Sequence, residues 1–160
     1  LEVTVAAGSG RLRPAGGVSG TIKDSIQRAF SYLQANKVPL GLGRELDTSD
    51  IHVQVIELLG HQVDAELGVA FYIACCSALN KVSALPGLVV VGDLSIQGNV
   101  RPVASLIEPM QVAMDNGARK MLIPSENRRS VLDVSADVLE HVDAIFYGDM
   151  RNAAFKALQV

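Results

Sequence analysis

Cysteine is scarce in this chain, and the two present, Cys75 and Cys76, are neighbours inside an apolar stretch. Metal sites want pairs such as Cys-x-x-Cys with further ligands elsewhere, so the reading is two small core residues and no metal. Charge of one sign is also lacking. The formal net charge is −3, and the basic residues are dispersed apart from Arg11/Arg13 and Arg128/Arg129, which gives nucleic acid no field to follow. No apolar run approaches the roughly 18 residues that cross a bilayer, and no charged-then-apolar leader opens the chain. The expectation is a cytoplasmic, soluble protein with no membrane contact. Glycines gather at Gly8-Ser9-Gly10 and Gly16-Gly17, but no Gly-Lys-Ser/Thr follows, so they are not a phosphate loop and this segment binds no nucleotide cofactor.

What is present is apolar and patterned. A chain of 160 residues, 49% of them hydrophobic, is long enough to bury roughly 70% of its unfolded surface and too apolar for disorder. Its mean hydropathy of +0.27 lies on the apolar side for a free monomer, which points to buried subunit contacts. No repeat or linker interrupts it, so residues 1–160 read as one domain. Strand-like alternation starts at Leu1 without an initiator methionine, and the expectation is a piece of a larger protein.

Periodicity supplies the elements. Leu1 to Ala7 alternates as a strand, and Gly8 to Gly20 reads as a hairpin or loop. Ile22, Ile26, Ala29, Phe30 and Leu33 share one face of a helix that stops before Pro39, and Lys23, Asp24, Gln27, Arg28 and Gln34 form its solvated face. The polar turn Asp47 to Asp50 leads into a strand at Ile51 to Val55. Leu67 to Leu79 is apolar on nearly every side, the mark of a buried helix, with Asp64 as its cap. Leu88 to Val91 is a buried strand, Ser95 to Val100 turns back at Gly98-Asn99, and Ser105 caps a helix that ends at Asn116-Gly117. Met121 to Ile123 is a strand, Ser125 opens a helix carrying Arg128 and Arg129, and Ala144 to Tyr147 is the last strand before a helix from about Asp149 to Leu158. Strands alternating with helices make an α/β (α+β) fold.

The run Gly92-Asp93-Leu94-Ser95-Ile96-Gln97-Gly98-Asn99-Val100-Arg101-Pro102, with Lys120-Met121-Leu122-Ile123-Pro124 beyond it, resembles the second half of a Lon-type (S16) peptidase domain. Ser19 to Leu33 is similar to that family's first helix, and the pattern holds in register without a gap from Ile51 to Pro124. The resemblance covers essentially the whole chain and implies a fold of the ribosomal-protein-S5 domain-2-like group. Within the family it extends to the Lon-like branch of BREX phage-exclusion systems.

The same register places Glu66 where the family has its serine nucleophile and Ile107 where it has its lysine base. The family's serine lies in a small-residue loop at a helix start, where unpaired N–H groups stabilise an oxyanion. Its lysine must be buried to be neutral. Here the loop reads Val63-Asp64-Ala65-Glu66-Leu67-Gly68; only Gly68 keeps the family identity, and Leu58-Leu59 replace small residues. Glu66 has no hydroxyl and Ile107 has nothing to titrate, so no catalytic residue is intact.

His61, Asp64 and Glu66 could be drawn as a substitute cluster, but its nucleophile would have to come from Ser9 or Ser105. The plainer reading is a capping Asp64 and a first-turn Glu66, worth about 1 and ~0.3 to 1 kcal/mol. A sharper one puts the Glu66 carboxylate in the former oxyanion site. His52 reads as a half-buried strand histidine, and His141 is too far along the chain to complete a metal triad with His52 and His61. The resemblance implies an inactive Lon-like domain at the C-terminal end of an AAA+ ATPase. It would assemble as a homo-oligomeric, hexameric ring acting as a scaffold, with ATP and Mg held by the ATPase domain in cis and the substrate, DNA or protein, left open. Two other readings stand beside it: a divergent ATP-dependent serine peptidase, and a protein-binding module whose contact surface is the Leu58-Leu59 loop.

Overall fold

A computed structural model of the chain describes residues 1–57 and 65–159. Three strands, β1 (Glu2–Ala7), β2 (Leu12–Ala15) and β3 (Ser49–Gln54), form a first sheet in the order β1-β3-β2. β1 runs antiparallel to β3, and β2 runs parallel to it on the other side. Of the hairpin or loop expected at 8–20, the hairpin is corrected: β1 and β2 do not pair, because the more apolar β3, with Ile51 and Val53 buried, takes the central place between them.

Between β2 and β3 run α1 (Gly20–Asn36) and the short α2 (Gly43–Asp47). Ser19 starts α1 by accepting a hydrogen bond from the Ile22 backbone N–H, one of the donors a helix start leaves unpaired. The inward face is the one the spacing gave, Ile22, Ile26, Ala29, Phe30 and Leu33, with Ser25 added. The outer face is only partly solvated. Gln34 Nε2 donates to the Gly10 carbonyl, and Arg28 turns to an ion network described below. α2 begins before the expected polar turn and includes Asp47, so the turn is a helix end; Asp50 already lies within β3.

α3 (Gly68–Asn80) is the central helix, with Val69, Phe71, Tyr72, Ile73, Cys75, Cys76 and Leu79 buried. A helix apolar all round must be covered all round, and α3 packs against α1, α6 and β1. Its cap position is Leu67, with no side-chain hydrogen bond; Asp64, expected there, lies outside the described residues. Both thiols are free. Burial pushes the Cys75 thiol well above its ordinary range and Cys76 up to about 11, so both stay protonated and inert at neutral pH.

The second sheet is parallel, β4 (Leu88–Val90), β7 (Lys120–Pro124) and β8 (Asp143–Tyr147), in the order β4-β7-β8. A separate hairpin, β5 (Asp93–Leu94) and β6 (Val100–Arg101), turns through Gly98. Gly98 has φ +86°, and a Cβ there would sit 2.2 Å from the Tyr32 ring, so a turn conformation and a close approach to α1 both demand glycine. α4 (Ile107–Asp115), α5 (Ala136–His141) and α6 (Met150–Leu158) complete the fold. α6 is capped by Asp149, whose carboxylate accepts from the Asn152 N–H. The segment from Ser125 to Asp133 is a 3-10 helix, and α5 was not expected from the spacing.

Alternation on the parallel strands divides the interior. Leu122, Tyr147 and Ile145 face the main core, which also holds α1, α3, α6 and the first sheet. Met121, Ile123, Ala144 and Phe146 face a second core with Leu106 just before α4, Met110 and Ala113 of α4 and Val138 of α5. Both faces of the second sheet are covered, as a parallel sheet requires.

Candidate functional site

The residues just before α3 meet α1 and the β5–β6 hairpin in a network of charge. Its buried member is Asp93 at the start of β5, with only 1% of its side chain exposed. A carboxylate so placed must be paired. Ser25 Oγ, fully buried on α1, donates to Asp93 Oδ1 at 3.0 Å, and Arg28 Nη2, one turn further on, donates to Asp93 Oδ2 at 2.5 Å. The Leu67 N–H donates in turn to Ser25 Oγ at 2.8 Å. One serine thereby ties the entry of α3 to the hairpin.

Gly68, the first residue of α3, is fixed by the same arrangement. A Cβ there would lie 2.1 Å from Asp93 Oδ1 and 2.6 Å from Leu94 Cδ2, so nothing larger than hydrogen fits. The Asp93 carboxylate thus rests against the positive end of α3, where the helix dipole favours an anion.

Glu66 and Arg101 close the outer side. Glu66 Oε1 accepts from Arg101 Nη1 at 3.2 Å and lies 3.7 Å from Arg28 Nη2; Arg101 Nη1 is also 3.7 Å from Asp93 Oδ2. Two cations and two anions alternate around a square. Exposure rises from Asp93 through Arg28 at 31% and Glu66 at 41% to Arg101 at 53%. The idea that Glu66 fills a former oxyanion site is corrected here: its carboxylate is turned to the two arginines, and the carboxylate at the helix start belongs to Asp93. Nor does Glu66 lie in the first turn, since the cap position falls one residue after it.

Ile107 opens α4 and is 54% exposed; its N–H donates to Ser105 Oγ at 3.3 Å. α4 packs in the second core and α3 in the main one. Ser9 lies in the β1–β2 turn, where its N–H donates to Asp50, so neither Ser9 nor Ser105 joins Glu66. His61 and Asp64, with the Leu58-Leu59 loop, lie outside the described residues. His52 is exposed on β3, not half-buried, and His141 Nδ1 contacts the Asp137 carbonyl of its own helix. Arg128 lies over the Phe146 ring, 5.0 Å from its centroid, in a cation–π contact. No lysine joins the charge square among the described residues, and its only hydroxyl, Ser25, is buried with its proton committed to Asp93.

Ser25, Arg28, Asp93 and Arg101 were not singled out from the sequence. Ser25 and Arg28 are three apart on one helix, and Asp93 is an acid between the apolar run ending at Val91 and Leu94. Those signals were available, but the partnership spans 68 residues between Ser25 and Asp93 and needs the fold to be seen.

The class follows from the match over the whole chain. The whole chain, residues 1–160, matches the Lon protease (S16) C-terminal proteolytic domain, and it belongs to that family. Among its curated relatives, the Lon-like protease BrxL of Bacillus cereus (strain H3081.97) is 33% identical over 162 residues, covering 100% of this chain and 24% of the relative. The Lon-like protease BrxL of Escherichia coli O9:H4 (strain HS) is 28% identical over 161 residues, covering 100% and 23%. The Lon protease of Rhizobium meliloti (strain 1021) is 29% identical over 159 residues, covering 99% and 20%. The chain thus spans about a quarter or less of the length of these relatives. No helix among the described residues is long and apolar enough to cross a membrane.

Proposed function

We propose that this domain is a proteolytically inactive Lon-type domain that serves as a scaffold within a ring-forming AAA+ ATPase. The observation that carries the reading is the fate of the two family positions: a carboxylate held by Arg101 and Arg28 at residue 66, and an exposed hydrocarbon at residue 107. A Ser-Lys peptidase needs a hydroxyl within about 3 Å of a neutral amine. Glu66 and Ile107 supply neither. The likeness to two proteins called BrxL supports a parent protein acting in BREX-type phage exclusion. ATP and Mg would be bound by an ATPase domain in cis, six copies would form the ring, and the whole would work in the cytoplasm on DNA or protein.

The test is direct. The domain is incubated with unfolded casein and with a fluorophosphonate serine probe, beside an intact Lon domain as control. Neither cleavage nor labelling is expected; labelling of any serine overturns the inactive reading. Sedimentation of a chain joined to its ATPase domain should give a closed ring, with a self-contact above about 1,000 Å².

A further inference from the structure

We propose that the charge square is an ionic latch on the entry to α3, with a permanent inner half and an outer half that opens. The inner half is Ser25, Asp93 and Arg28, where a carboxylate 1% exposed holds two donors at 3.0 and 2.5 Å. The outer half is Glu66 and Arg101, joined at 3.2 Å with 41% and 53% of their side chains in solvent. Exposed pairs of this kind are weak and screened by salt, whereas buried ones are not.

The two halves share the square but hold different things. Ser25 and Arg28 lie on α1, Asp93 and Arg101 on the hairpin, and Glu66 on the segment just before α3, so the outer pair fastens that segment to the hairpin. Behind it, the Leu67 N–H reaches Ser25 Oγ. No side chain caps the helix at Leu67, and among the described residues charge and this bond both hold its entry. Opening the outer pair frees the segment to move off Ser25 while Asp93 stays locked. Glu66, at the family's nucleophile position, therefore acts as a movable corner of a clasp. The inference does not rest on the proposed function, since a latch operates in an active or an inactive domain alike.

Amide hydrogen exchange by NMR on the whole chain tests it, with the Leu67 amide as reporter and the Ile123 amide of β7, in the second core, as reference. Raising salt from about 0.05 to about 0.5 M should speed Leu67 exchange roughly twofold to fivefold and leave Ile123 unchanged. Glu66→Gln and Arg101→Gln should each give that increase at low salt and abolish the salt response. Arg101→Lys, which keeps the alternation of charge around the square, should hold Leu67 within about twofold of the parent, and Glu66→Gln with Arg101→Gln together should exchange no faster than either alone, a non-additivity that two separate packing roles would not show. The latch is overturned if Leu67 exchange ignores both single variants, if Ile123 moves in step with it, or if the effects of the two single variants add in the double.

Discussion

Restoring the family's reactive residues at positions 66 and 107 is not expected to assemble a working dyad. A lysine at 107 would take a position where isoleucine is 54% exposed, so solvent would hold its pKa near the ordinary ~10.4 and keep it protonated at neutral pH. A serine at 66 would in turn take the outer carboxylate away from Arg28 and Arg101 and leave them to Asp93. The double variant Glu66→Ser with Ile107→Lys is expected to cleave no casein above background in a fluorescence assay, and measurable turnover would contradict the argument. Gly68 gives a second expectation at this scale. Gly68→Ala forces its methyl onto the Asp93 carboxylate and should cost about 1–3 kcal/mol by urea denaturation. Gly17→Ala, with open space around the new methyl and no positive φ, should change stability by less than about 0.5 kcal/mol.

Among the elements, the turn between β1 and β2 gathers three of its donors on one side chain. Asp50 Oδ1 accepts from the Ser9 and Arg11 N–H groups, and Oδ2 accepts from Arg13 Nε at 3.1 Å. Those backbone donors, with Arg13, hold its carboxyl down at about 2, below the ordinary 3.8. A carboxyl depressed in the folded state binds its proton more readily when unfolded, so it adds stability above pH 3.8 and loses it as the pH falls through about 2. Asp50→Asn should therefore lower the thermal midpoint at pH 5 and flatten its dependence between pH 4 and 2. An unchanged acid limb would show that the turn does not rely on this charge.

Elements whose pattern was local were legible in the sequence. α3 was readable because it is apolar on every side, and α1 because Ile22, Ile26 and Leu33 recur at helical spacing. β2 was not. Leu12-Arg13-Pro14-Ala15 has no alternation, and its strand geometry comes from lying beside β3, to which its residues pair 39 positions away. Glu66 and Ile107 were marked by register against a family, but the arginines around Glu66 were not, since the outer face of a helix and a hairpin flank look solvated until the fold brings them together.

On the scale of the whole molecule, the parallel sheet carries a core on each face, and a shared sheet is expected to couple them. The chain has no tryptophan, and Tyr32, Tyr72 and Tyr147 all belong to the main core, so intrinsic fluorescence reports that side alone. Ile123→Ala removes side-chain volume from the other side and should cost about 2–5 kcal/mol. If the sheet couples the cores, tyrosine fluorescence and far-UV circular dichroism will shift to the same lower denaturant midpoint. A dichroism change that runs ahead of the fluorescence would mean the second core melts alone.

The insertion of β3 between β1 and β2 also bears on how the chain is made. β1 and β2 leave the ribosome before β3, yet neither has its neighbour until residue 54 is synthesised. At about 5–20 residues per second, they spend seconds with unsatisfied edges, and that interval is when a nascent copy is most open to capture by a chaperone or to wrongful pairing with its twin.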